Sequence, residues 1–172
     1  MAWVRHGLTA AALAVLATAA GCLACNDIGC SGGLTWTAAT EDQMPLRPGE
    51  YQLEIDLEGD RFTIACTVTG ADDDRCEEAM RVSGARDFFV SASVGSVSTW
   101  AGPGFGMTLL ASENVEQGVR GPTDVALTLR RDGAVVLEES YAVEYERDED
   151  FFGDERCGFC DSEESRTVGL PQ

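Results

Sequence analysis

The chain has 172 residues, with 30 acidic against 12 basic side chains and a net charge of −18 at pH 7. No lysine occurs, and His6 is the single histidine; the body of the chain therefore has no Ser-His-Asp or Cys-His nucleophile system, no histidine metal ligand, no Schiff base and no P-loop lysine. Strong acidity argues against nucleic acid, whose phosphates are held by basic residues, and leaves carboxylate, thiol, tyrosine and hydroxyl chemistry.

Residues 1–21 read as an export signal. Arg5 supplies the positive start, Leu8 to Ala20 the apolar run, and Ala19-Ala20-Gly21 the small residues of a cleavage site. The run is too short and too rich in alanine for a retained membrane span, which needs about 20 apolar residues. Ala19-Ala20-Gly21-Cys22 resembles the lipobox of bacterial lipoproteins, with Ala19 where the motif favours Leu. The resemblance implies that Cys22 is acylated through its sulfur and becomes the new N-terminus. Leu23, in place of the Asp that retains such proteins at the inner membrane, implies an outer-membrane destination. Cleavage by an ordinary signal peptidase, after Ala20 or Ala24, is the alternative and gives a secreted soluble protein. Of the seven cysteines, acylation of Cys22 leaves an even number, which suits disulfides in an oxidising compartment.

Residues 22–33 form a tether of small and polar residues carrying Cys22, Cys25 and Cys30. From 34 to 172 the pattern is that of one β domain. Tyr51, Leu53, Ile55 and Leu57 alternate with Gln52, Glu54, Asp56 and Glu58, the period-two signature of a strand with one wet face. Glu58-Gly59-Asp60 is a turn, and Phe62, Ile64, Cys66 and Val68 mark the returning strand. Asp72-Asp73-Asp74 is an acidic loop, and residues 76–84 fit either a short strand or a helical turn.

Asp87 to Val97 returns to strand with Phe88, Val90, Ala92 and Val94 on one side. Gly102-Pro103-Gly104 reads as a loop before a strand at Met107–Leu110, and Gly118 to Asp124 as another loop. Val125, Leu127 and Leu129 lead into Asp132-Gly133, a hairpin signal because a type I′ turn needs positive φ at both central residues. The return strand carries Val135, Leu137, Tyr141, Val143 and Tyr145, with Glu139 interrupting its apolar face. An acidic stretch, 146–155, precedes Cys157-Gly158-Phe159-Cys160, and Thr167–Leu170 reads as a last edge strand. Seven or eight strands without a helical pattern predict an all-β, antiparallel, disulfide-stapled sandwich.

Cys30 ahead of the first strand, the Asp132-Gly133 hairpin, a tyrosine-containing strand and the Cys157/Cys160 pair are together similar to a class of small, uncharacterised, disulfide-containing bacterial lipoprotein domains. That resemblance implies no activity.

Cys66 ends a strand on its buried face and Cys76 follows the acidic loop, so these two are expected to pair. Cys25, Cys30, Cys157 and Cys160 then staple the lead-in to the C-terminal segment, or bridge locally as Cys25–Cys30 and Cys157–Cys160. The second pair also fits a thiol–disulfide exchange motif, but it lacks the helix that lowers a thiol pKa and lies among carboxylates that raise it. Asp148, Asp150 and Asp154 put hard oxygen ligands close to Gly153, the type of set that binds Ca²⁺. Solvated acidic loops are the plainer reading. The leading expectation is a non-enzymatic lipoprotein of the cell envelope, held to the membrane by acyl chains at Cys22 and acting as a structural or interaction module with an envelope protein partner. A Ca²⁺-using adhesion domain and an envelope thiol oxidoreductase using Cys157 and Cys160 follow it.

Overall fold

The computed structural model describes residues 32–40, 44–70, 74–99, 102–116, 118–149, 158–162 and 165–171. These contain strands and no helix. The residue alternation seen in the sequence decides which side of each strand is buried.

One sheet is built on the expected hairpin. β2 (Gly49–Leu57) and β3 (Asp60–Val68) pair without a break from Gly49↔Val68 to Leu57↔Asp60. Tyr51, Leu53, Ile55, Leu57, Phe62, Ile64, Cys66 and Val68 are all buried, while their neighbours face water. Glu58 and Gly59 both have positive φ, 54° and 93°, which gives the tight turn its twist. β9 (Asp124–Arg131) and β10 (Ala134–Ala142) form the second hairpin through Asp132 and Gly133, at φ 50° and 82°. β9 pairs with the free side of β2. The far side of β3 carries β4 (Arg75–Cys76) and β5 (Met80–Ser83). Residues 80–83, left open between strand and helical turn, are therefore strand, and every one of them is exposed.

The other sheet is centred on β7 (Gly102–Val115). Its long hairpin partner β6 (Phe88–Thr99) lies on one side. β1 (Leu34–Thr40) and β8 (Gly118–Arg120) lie end to end along the other. Beyond them come β13 (Arg166–Leu170), parallel to β1, and β12 (Phe159–Ser162), parallel to β8, with β11 (Glu146–Asp148) outermost.

The all-β sandwich stands, with differences in detail. Gly102–Gly104, expected as loop, pairs with Val97–Thr99, because the β6–β7 ladder continues through these residues. Gly118–Arg120 and Glu146–Asp148 are strands too short to show a period. The described residues hold thirteen strands rather than seven or eight, and two pairings are parallel. Parallel pairs join segments far apart in the chain and leave no local hairpin signal.

The two sheets share one apolar core. Trp36, Met107 and Leu109 from one meet Leu53, Ile64, Leu127 and Leu129 from the other. Phe62 and Phe88 meet edge to face across the interface, ring centroids 6.5 Å apart, a geometry favoured by the ring quadrupole. Full burial of each Leu or Ile contributes roughly 1.5–3 kcal/mol.

Candidate functional site

Cys66 and Cys76 lie directly opposite each other on β3 and β4 and form a disulfide with S–S 2.05 Å. This is the expected pairing. It ties the two-residue strand β4, which has little ladder of its own, to the centre of the sheet. Cys160 is buried on β12 and also disulfide-bonded. The described residues hold no cysteine besides Cys66, Cys76 and Cys160. Cys22, Cys25, Cys30 and Cys157 all fall outside them, as do Asp150 and Asp154. Asp148 ends β11 opposite Cys160 and faces water. Among the described residues no group of three or more His, Cys, Asp or Glu is placed to hold a metal ion. Asp74, of the acidic triplet, is engaged locally: its Oδ1 accepts the backbone N–H groups of Thr69 at 2.7 Å and Gly70 at 3.1 Å.

Three polar clusters were not anticipated. At one end of the sandwich, Glu58 of the β2–β3 turn and Glu113 of β7 share two arginines. Arg86 pairs with Glu58 and reaches Glu113 at 2.7 Å, and Arg120 reaches Glu113 at 2.6 Å. Glu58 also accepts the backbone N–H and the hydroxyl of Thr123 at 2.6 and 3.0 Å. The Arg86 guanidinium lies 4.7 Å over the Phe88 ring. All four side chains are mostly shielded from water, and the cluster joins the two sheets.

The second cluster lies within the sandwich. Glu139, the residue that breaks the apolar face of β10, faces inward beside Leu127. Its Oε2 accepts the indole N–H of Trp36 at 2.9 Å, and its other oxygen pairs with Arg166. Arg166 neighbours Trp36 in the β1–β13 register and lies 4.1 Å over the Tyr141 ring.

The third cluster pins the C-terminal segment. Arg147 of β11 makes a two-pronged contact with the buried Asp161, at 2.7 and 2.9 Å. It also stacks 3.8 Å over Phe159. The Asp161 hydrogen bond, aided by the charges of Asp161 and Glu149 and opposed by slight desolvation, holds the Arg147 guanidinium above its ordinary pKa.

In each cluster the carboxylates are occupied by arginines, backbone amides or an indole. This chemistry suits holding two sheets together, and nucleophile-and-base pairs are not among it. An open groove of about 550 Å³ is lined by Asp56, Glu58 and Asp124. Asp56 is itself committed, to Gly59 and Arg61. The one sequence signal for the second cluster was Glu139 itself, a carboxylate where an apolar residue belonged. The arginines of the first are scattered through the chain and carried none.

Comparison with protein families, curated proteins and solved structures finds no match.

Proposed function

We propose that this chain is a non-enzymatic lipoprotein of the cell envelope, a disulfide-stapled β-sandwich anchored through acyl chains at Cys22 and serving as a structural or interaction module. The observation that carries the reading is the Cys66–Cys76 bridge. Disulfides form and persist outside the reducing cytoplasm, and the sequence begins with a segment patterned for export. Support also comes from the disposition of charge: the carboxylates of the three clusters are engaged in holding strands and sheets together, the use expected of a scaffold.

The lipid would supply the membrane affinity, so the folded part needs no greasy surface of its own. Two acyl chains give stable anchoring where a single one gives only marginal binding. Leu23 after the cysteine points to the outer membrane.

Expression in a bacterial host with an intact lipoprotein pathway tests this. The mature protein should carry acyl mass on an N-terminal Cys22 and sediment with membranes. Cys22→Ser should release it to the soluble fraction with the sandwich intact. An unmodified, soluble wild-type chain overturns the anchor, and reduced Cys66 and Cys76 in protein from its native host overturns the compartment.

A further inference from the structure

The outer strands of the two sheets differ sharply in how they meet solvent. β4 has two residues and carries Arg75; β5 has four and carries Arg81. β10 is bulged between Val135 and Leu137 and carries Glu138. β11 is Glu-Arg-Asp, and β13 is five residues that begin at Arg166 and stop before Pro171. Shortness, charge, bulges and proline are the devices that stop one sheet edge from adding to another. β6 has none of them. It runs twelve residues, Phe88–Thr99, in unbroken register with β7. Among the described residues no strand pairs with its other side. From Phe88 to Ser112 no charged side chain occurs, the longest such stretch in a sequence with 24% charged residues.

We propose that two copies of this chain join edge to edge along β6, in antiparallel fashion, so that their β6–β7 sheets become one. Charge selects this occupant. A chain of net charge −18 repels its own copy over most of its surface, and a long neutral edge removes that repulsion where backbone pairing is available. In any register along β6 no like charges face each other, which is the main penalty in cross-strand pairing.

Direction follows from the groove beside the start of the strand. This hollow of about 300 Å³ is bordered by Glu77, Glu78, Arg81 and Phe89, two carboxylates against one cation. An antiparallel copy brings the uncharged far end of its β6 against these carboxylates. A parallel copy would bring its own Glu77 and Glu78. Phe89, 58% exposed, gains cover in the antiparallel arrangement. The inference does not depend on the fate of Cys22.

Sedimentation velocity on the whole chain, exported with Cys22→Ser so that no acyl group intervenes, tests it at about 1 to 200 µM, a span that brackets micromolar affinity. A concentration-dependent shift to twice the monomer mass is expected. Ser93→Glu, at an exposed position of β6, should weaken the dimer about tenfold or more, and mixing it with Ser93→Arg should restore association as a heterodimer. Val135→Glu, on the outer strand of the other sheet, should change nothing; circular dichroism and melting confirm that each variant folds. A monomer throughout the range overturns the proposal. So does a dimer that Ser93→Glu leaves intact or Val135→Glu breaks, and so does a monomer that floats with phosphatidylethanolamine–phosphatidylglycerol vesicles through this hairpin.

Discussion

The carboxylate of Glu139 on β10 accepts the indole N–H of Trp36 on β1 at 2.9 Å, binding a fully buried ring of one sheet to the opposite sheet. The same carboxylate pairs with Arg166, the register neighbour of Trp36. Removing one partner of such a group leaves the other desolvated without compensation. Glu139→Ala should destabilise the fold by about 1–3 kcal/mol. Urea unfolding of Glu139→Ala, Trp36→Phe and the double variant should show non-additivity, because each single change breaks the same bond. Additive losses would separate the two residues.

The Glu58–Arg86–Glu113–Arg120 cluster joins the sheets at one end, and its members are coupled through shared oxygens. Arg86→Met should cost about 1–2 kcal/mol, above the value of an exposed pair because the cluster is partly shielded. Most of that loss should vanish in an Arg86→Met/Glu113→Gln background. Thermal melts at low and high salt check this: raised salt should narrow the gap between wild type and Arg86→Met.

The disulfide between Cys66 and Cys76 closes a loop of sequence separation 10. In the chain-entropy account, replacing both residues by Ala should lower stability by about 2–3 kcal/mol. Cys66 is buried and Cys76 is partly exposed, so the larger packing loss falls on the first. Cys66→Val/Cys76→Ala should recover part of the difference in denaturant midpoint.

Gly106 sits in the middle of β7, with Gly95 opposite it on one side and Ala39 on the other. A Cβ at Gly106 would fall on the carbonyl oxygen of Ala38. Gly106→Ala should therefore destabilise by about 1–3 kcal/mol through overpacking, despite the gain in strand propensity. Gly133→Ala has no such clash and should cost less, its penalty coming from φ 82° alone. Equal melting temperatures for the two variants would contradict this ordering.

Asp161→Asn should loosen the C-terminal segment, because Arg147 loses its charged two-pronged acceptor, worth about 1.5–3 kcal/mol per hydrogen bond. The pH dependence has a definite sign. Arg147 has its pKa raised in the folded state, so its contribution is complete below the ordinary arginine range and falls only as pH rises through the folded value. The stability difference between wild type and Arg147→Met should stay level from neutral to moderately alkaline pH. A difference that shrinks in that window would refute the assignment.

Much of the sandwich could be read locally. The alternation from Tyr51 to Val68 places its residues on the faces they occupy, because successive side chains of a strand point to opposite sides. Glu58-Gly59 and Asp132-Gly133 turn as their types require, since positive φ is cheap for Gly and tolerated by Asp. Residues 80–83 could not be read in this way: Met80, Arg81, Val82 and Ser83 are all exposed, so no face of the strand is marked by burial. The glycines at 102 and 104 suggest a loop, and only the partner β6 makes them strand. Of the expected site residues, Cys66 and Cys76 come together, while Asp148 stands on an exposed strand end.

The faces of the longer strands, the turns at Glu58-Gly59 and Asp132-Gly133, the acidity and the Cys66–Cys76 pairing were thus determined by the sequence itself, since each depends on composition, sterics or chain closure over a few residues. The parallel placement of β13 on β1, the partners of Glu139, the four-membered charge cluster and the bare edge of β6 were decided by the tertiary structure alone. They depend on which distant segments meet, and that choice belongs to the burial of the whole apolar core at once.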